Sequence, residues 1–536
     1  MRSNFSPFPF AALGILLGAV SSVSGQDTYN WVGGTGGANR GLFTETSWDP
    51  ALAAIDRGEG TSPTLIIATR NNGSSEDLIG GGLHLGVGVA NARVGHLIFD
   101  DTDGHFPANL IIAGNQGLTT ARVLHVEQPN TTFITLTENT TGTVTLGYER
   151  ATYGNLSFRL PVTGVSTIHV AHPAATLDLS GLFDNITGRG GISAGDTTYT
   201  PGGHAILRKT GAGTLDLRTA DSQGHRVGGT IIEGGTVIIS STLQLGWAPP
   251  SVEPPDPPNE AVPDMVVING GTLRTTNSGA ITNSTLRGFQ IGENGATIEV
   301  TGGSFRLPNT FADIPGQAGV LIKAGPGVLG FQNAEEGTTH SGGTLLQQGE
   351  IHLVFDTGSL GAADGLGITA ASGTMLRGMG GINGDSTFAA GATLRPDTMS
   401  SATNVLDPVG TLTFNHSVSL GEVSLIYDLA APGVSDLIHV AGVLDIGIGL
   451  LDLTTFTFTA REGFGAGSYT LVSTGGGMLG ELGTELTGML GDFPIELGLS
   501  AGGDAIVLTV IPEPAAYAAL FGLVALVVVR RFRRAR

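Results

Sequence analysis

The sequence predicts an all-β protein: a right-handed parallel β-helix body, preceded by an N-terminal signal peptide and followed by a single C-terminal transmembrane helix. Three observations lead there. Glycine occurs 86 times in 536 residues, while charged residues make up 13% and aromatics 6%, a composition poor in long-helix formers and rich in turn formers. A unit of glycine, a small or β-branched residue and an apolar residue recurs at Gly213-Thr214-Leu215, Gly235-Thr236-Val237, Gly271-Thr272-Leu273, Gly373-Thr374-Met375 and Gly410-Thr411-Leu412. A longer segment also repeats, HAILRKTGAGTLDL from His204 to Leu217 returning as AGVLIKAGPGVLGF from Ala318 to Phe331, 114 residues on.

Each short unit starts a rung: glycine takes the turn conformation that a Cβ resists, and Thr, Val and Ile suit the strand that follows. One coil cannot bury its apolar face alone, so stacked coils must share a core and pair their backbones in parallel ladders. A parallel β-helix fits best, although for residues 26–200 and 416–510 periodicity does not exclude an antiparallel sandwich, which also uses short strands and glycine turns. The 114-residue shift also superposes Gly228-Gly229-Thr230 on Gly342-Gly343-Thr344, nineteen residues after Lys209 and Lys323, the chain's only lysines. We read those lysines as polar rungs on the outer face of the coil, in preference to polyanion ligands.

Charge and cysteine content narrow the function classes. The formal net charge of −21 repels nucleic acid and anionic lipid; its plain meaning is a solubilising surface. With no cysteine, disulfides, thiolate metal sites and cysteine nucleophiles are excluded.

At the N-terminus, Arg2 precedes an apolar run from Phe8 to Val20 and then small residues to Ser24 and Gly25, the layout of a secretory signal peptide over residues 1–25. Cleavage between Gly25 and Gln26 is expected. The body then divides into a β-rich region at 26–200, a first repeat at 201–246, a Pro-rich loop or linker at 247–263, a continuation at 264–415 holding the second repeat at 318–361, and a β-rich region at 416–510. The Pro-rich run, with Pro249, Pro250, Pro254, Pro255, Pro257, Pro258 and Pro263, cannot pair within a central strand.

Residues 511–536 read as a sorting and anchoring tail. Pro512-Glu513-Pro514 is followed by fifteen uncharged residues, 515–529, and a basic stop containing Arg530, Arg531, Arg533 and Arg534. Fifteen helical residues span about 22 Å against a hydrocarbon core of about 30 Å, a minimal anchor that needs arginine snorkelling or local thinning. The arginines should stay cytoplasmic, which places the body outside. The two prolines keep the approach to the membrane extended.

Together these features resemble the PEP-CTERM sorting signal, part for part over residues 511–536. The resemblance implies a diderm bacterium, recognition by a membrane-embedded exosortase after export by the general secretion machinery, and processing near Pro512-Glu513-Pro514. The unit Leu-x-Lys-x-Gly-x-Gly-x-Leu followed by Gly-Gly-Thr resembles the autotransporter-associated β-strand repeat, also called the passenger-associated transport repeat. Trp31, Gly33-Gly34 and Trp48 also look like the opening of such proteins. So does Gly378-Met379-Gly380-Gly381-Ile382 leading to Gly391-Ala392-Thr393-Leu394 and Gly410-Thr411-Leu412-Thr413-Phe414. That family implies a β-helical stalk associated with adhesion or surface presentation. This chain departs from it in carrying the sorting tail where autotransporters carry a membrane barrel.

Residues suited to chemistry are scattered. Asp100, Asp101 and Asp103 after a strand at 94–99 lack the spacing of a calcium loop and read as a polar turn. Gly380-Gly381-Ile382-Asn383-Gly384-Asp385 displaces a glycine of the calcium-binding nonapeptide. His96, His105, His125, His169, His172 and His204 lack zinc-hydrolase spacing. No catalytic residue, metal or cofactor is assigned. The expected function is a non-enzymatic cell-envelope or extracellular-matrix protein, with an exopolysaccharide or surface glycan as a candidate partner. Two rival readings are a polysaccharide lyase or hydrolase on the same fold and a glycan-binding adhesin using Trp31, Trp48 or Trp247. For Trp31 and Trp48 the preferred reading is that they help cap the N-terminal edge of the stack.

Overall fold

The computed structural model describes residues 28–31, 48–49, 64–67, 78–79, 82–87, 91–101, 109–114, 122–126, 128–147, 156–161, 163–180, 186–188, 205–218, 227–246, 262–284, 286–308, 311–332, 337–399, 406–407 and 409–512. Their secondary structure is β-strand, apart from one short 3-10 turn at Thr242–Leu245. Strands pair mostly with the strand one coil later, in parallel, building sheets of 11, 16, 14 and 4 strands among the described residues. This is the arrangement of a stacked β-solenoid. No described helix is long and apolar enough to cross a membrane, and the expected transmembrane segment and signal peptide lie outside the described residues.

Register explains why the short glycine units recur. Thr214, Thr236 and Thr272 pair in one column, and Leu215, Val237 and Leu273 in the next, so three of the units are successive rungs of the sixteen-stranded sheet. Alternation then sends the column of Leu215, Val237 and Leu273 inward, where all are buried. In the eleven-stranded sheet the inward column runs Leu65, Leu97, Ile134, Ile168, Lys209, Ile232, Ile268, Ile291. Buried aliphatic and aromatic side chains from Leu65 to Val510 form one continuous core. Its aromatics include stacked Phe289 and Phe311, 6.1 Å between ring centroids.

Close approach of coils fixes the corner glycines. Gly235 has φ +61°, and a Cβ there would strike the carbonyl of Gly213 on the preceding coil. At Gly378, φ +112°, a Cβ would strike the Leu353 carbonyl. Neither position admits another residue without backbone movement.

The described residues of region 26–200 pair in parallel, apart from Thr28–Trp31 with Trp48–Asp49 and Leu78–Ile79 with Gly82–Val87, which decides against a sandwich among them. The strand expected at 94–99 is broken at Gly95: Asn91–Val94 joins the four-stranded sheet and His96–Phe99 the eleven-stranded one. Region 416–510 is mixed. Its parallel rungs continue to Met478–Glu481, but Gly467–Thr474, Ala505–Val510, Phe493–Leu499 and Thr487–Leu490 then pair antiparallel in that order. At the other end Trp48–Asp49 runs antiparallel to Thr28–Trp31, with Trp31 opposite Trp48. Antiparallel strands thus end the eleven-stranded sheet at its first strand and the fourteen-stranded sheet at its last, while the sixteen-stranded sheet ends on the parallel strand Met478–Glu481. The Pro-rich run lies outside the described residues except for its end, where Val262–Ile268 rejoins the stack.

Candidate functional site

The two copies of the long repeat bring Lys209 and Lys323 to equivalent places, and those places are inside the protein. Both side chains are 0% exposed, which overturns the expectation of rungs on the outer face. Lys209 Nζ donates to the carbonyls of Thr210 (2.8 Å), Gly211 (2.9 Å) and Gly234 (3.2 Å). Lys323 Nζ donates to those of Ala324 (2.8 Å), Gly325 (2.7 Å) and Gln348 (3.0 Å). In each copy two acceptors belong to the lysine's own glycine turn and the third to the next coil. The ammonium staples one coil to its neighbour. Burial pushes Lys209 down to about 7 and Lys323 to about 8, while the carbonyl acceptors favour the ammonium form.

The motif is a corner unit rather than a face unit. The first copy turns from the eleven-stranded sheet into the sixteen-stranded one, through Ala205–Thr210 and Thr214–Asp216. The second turns from the sixteen-stranded sheet into the fourteen-stranded one, through Leu321–Ala324 and Val328–Phe331. One lysine and two glycines therefore make the same bend at two different corners of the coil.

A group of charged side chains lies where the stack forks. The first half of Met375–Ile382 pairs with Thr393–Pro396, and the second half with Thr411–Phe414. The fork brings together the three glycine-rich motifs at 378–382, 391–394 and 410–414 that the sequence singled out. Its two branches are stitched by Asp436, which accepts from the amides of Gly410 (2.6 Å) and Asp428 (2.7 Å). Nearby, Arg395 pairs with Asp397 at 2.9 Å, Arg461 with Asp428 at 2.6 Å and Arg377 with Glu350 at 2.5 Å. Desolvation lifts the Asp436 carboxyl to about 7 despite its two amide donors, with Asp428 and Asp397 adding repulsion. Asp397 is raised as well, by burial against the pull of Arg395 and Arg377. Asp436 is 1% exposed and Asp428 5%, so these carboxyls are buried within the fork. Nothing in the one-dimensional pattern marks Asp436, because its partners come from two separate strands.

The other candidates are also committed to neighbouring coils. Asp100 accepts from Thr137 Oγ1 (2.6 Å) and Asn139 Nδ2 (2.8 Å) one coil on; Asp101 is buried, and Asp103 lies outside the described residues. Asp385 accepts from the Ser417 amide, and Asn383 joins Gly361 to Asn415. His96 bonds Thr135, and His169 bonds Thr210, on adjacent rungs. Among the described residues no group of three or more His, Asp or Glu side chains is placed to hold a metal ion.

Of the sorting and cleavage residues, Pro512 is the last described. Gly25, Gln26, Glu513, Pro514, Arg530, Arg531, Arg533 and Arg534 lie outside the described residues. Compared with known proteins, the chain matches no family model, no curated protein and no solved structure.

Proposed function

We propose that this chain is a non-enzymatic exported protein of a diderm cell envelope or extracellular matrix. In this reading a right-handed parallel β-helix presents its surface at a distance from the membrane. A signal peptide ending at Gly25 directs export through the general secretion machinery, and a PEP-CTERM tail delivers the body to an exosortase-type enzyme. The observation that carries the proposal is the end of the body. The closing strand Ala505–Val510 runs straight into Ile511, whose amide donates to the Pro494 carbonyl at 2.8 Å, and Pro512 follows at once. In this reading the folded body hands over directly to the sorting motif. The mutual pairing of the fork carboxylates and arginines favours a structural body over a polysaccharide lyase or hydrolase.

The test is to replace Pro512, Glu513 and Pro514 together by alanine in the producing cell and follow the protein by fractionation. The expected result is retention of the unprocessed chain in the inner membrane and its loss from the surface or medium. Unchanged distribution would remove the sorting role from this motif.

A further inference from the structure

The antiparallel sheet that ends the body carries a row of apolar side chains beside the chain exit. Met489 pairs opposite Pro494, and Ile511 bonds to Pro494 from the other side. Residues directly opposite in antiparallel strands project from the same face. The three therefore form one cross-strand row, on the face turned away from buried Ile495 and Val510. Met489 is 63% and Ile511 38% exposed. The neighbouring outward row, Thr487, Glu496 and Thr509, is polar and exposed, so the apolar row is confined to the sheet's last rank.

We infer that this row is a membrane-docking edge that seats the end of the body on the lipid surface. The inference rests on the tail being a membrane anchor. From Pro512 to the start of the apolar run at Ala515 is three residues, about 10 Å when fully extended. An anchored tail therefore brings Met489, Pro494 and Ile511 within reach of the headgroup layer. Amphipathic helices at such interfaces bury their apolar faces about 5–10 Å into the boundary between headgroups and acyl chains, and the apolar row would sit at the same boundary. The chain's negative charge and Asp492 at the hairpin tip favour a zwitterionic surface over an anionic one. Docking would fix the direction in which the stack leaves the membrane, which a tethered but undocked body could not do.

The absence of native cysteine permits a direct test. The full-length protein is made as Thr487→Cys, one rank from the row, and separately as Leu366→Cys, 68% exposed and several rungs back in the stack. Each is labelled with an environment-sensitive fluorophore and reconstituted into phosphatidylcholine vesicles with or without headgroup nitroxide lipids. Flotation of the vesicles checks anchoring independently. The expected result is flotation of both proteins, with emission at position 487 quenched by the nitroxide lipids and emission at 366 unchanged. Adding Met489→Asp and Ile511→Asp should abolish the quenching and leave flotation intact. Flotation without quenching at 487 overturns docking while the anchor stands; failure to float overturns both. Shielding at 487 that scales with protein density in plain lipid would assign the row to a second copy. Shielding in detergent before any lipid is added would assign it to the chain's own tail. Either result overturns the inference.

Discussion

Lys209→Met is expected to loosen the coils around it by about 3 kcal/mol, because three part-buried carbonyls lose a charged donor, at about 1.5–3 kcal/mol for each such bond, while the charge's own desolvation is relieved. Methionine keeps the volume and the inward packing, so the loss reports the staple and not a cavity. In a solenoid each coil contacts only its neighbours, and the effect should stay local. Amides in residues 205–239 should exchange with deuterium about 100-fold faster, which is the kinetic equivalent of that free energy. Lys323→Met should do the same over residues 321–353. Arg208→Met is the control: its pair with Glu233 is 3.6 Å long and over a third exposed on both sides, a geometry that contributes little. Lysine variants indistinguishable from Arg208→Met would remove the staple from the account.

Acidification should destabilise the body from pH 6.5 downwards. Burial lowers His96 and His340 from 6.5 to about 4 and His352 to about 3, the last also repelled by Arg377, Arg306 and Arg395. Groups that are kept neutral in the folded state and protonate freely once unfolded contribute stability that is present above pH 6.5 and lost as pH falls towards 4. Asp436, raised to about 7 from 3.8, acts in the opposite sense. Its folded form binds the proton first, so its contribution is gained as pH falls through 7. Asp397 acts the same way. With His169 also lowered, by burial and by Lys209, four histidines stand against two carboxyls, so the body binds protons on unfolding and loses stability as pH falls from 6.5 towards 4.5. Urea midpoints across that interval should fall, and His340→Gln should flatten the decline. His340 is fully buried, bonded to Thr338 and Thr344 and packed edge-on against Phe311. A midpoint that holds constant or rises from pH 6.5 to 4.5 would contradict this balance.

What the sequence shows of this fold follows from how a parallel stack repeats itself. Because Thr214, Thr236 and Thr272 occupy one column, the same short unit had to recur, and counting it predicts the rungs. The lysines are misplaced by the same reading for a chemical reason. Alternation puts Lys209 on the face of Ala205 and Leu207, and Lys323 on the face of Leu321, but a charged tip argues for solvent. The glycines after each lysine are the signal that resolves the conflict. They expose carbonyls at a corner without side chains, and an inward ammonium can satisfy them. The fork at Gly378 and its stitch by Asp436 were not legible, since they depend on one strand choosing two partners far apart in sequence. The antiparallel close lacked the glycine-threonine unit, so region 416–510 read ambiguously. The candidate function rests on the two ends of the chain, whose motifs are sequence features that the stacked body neither creates nor explains.

The central claim, that a stacked β-body is exported and sorted by its tail, is tested most directly by mass spectrometry of both termini of the protein recovered from its native envelope. The account predicts a chain beginning at Gln26 and ending near Pro514. A mature chain that retains Met1, or one that still ends at Arg536, would contradict export in the first case and tail processing in the second.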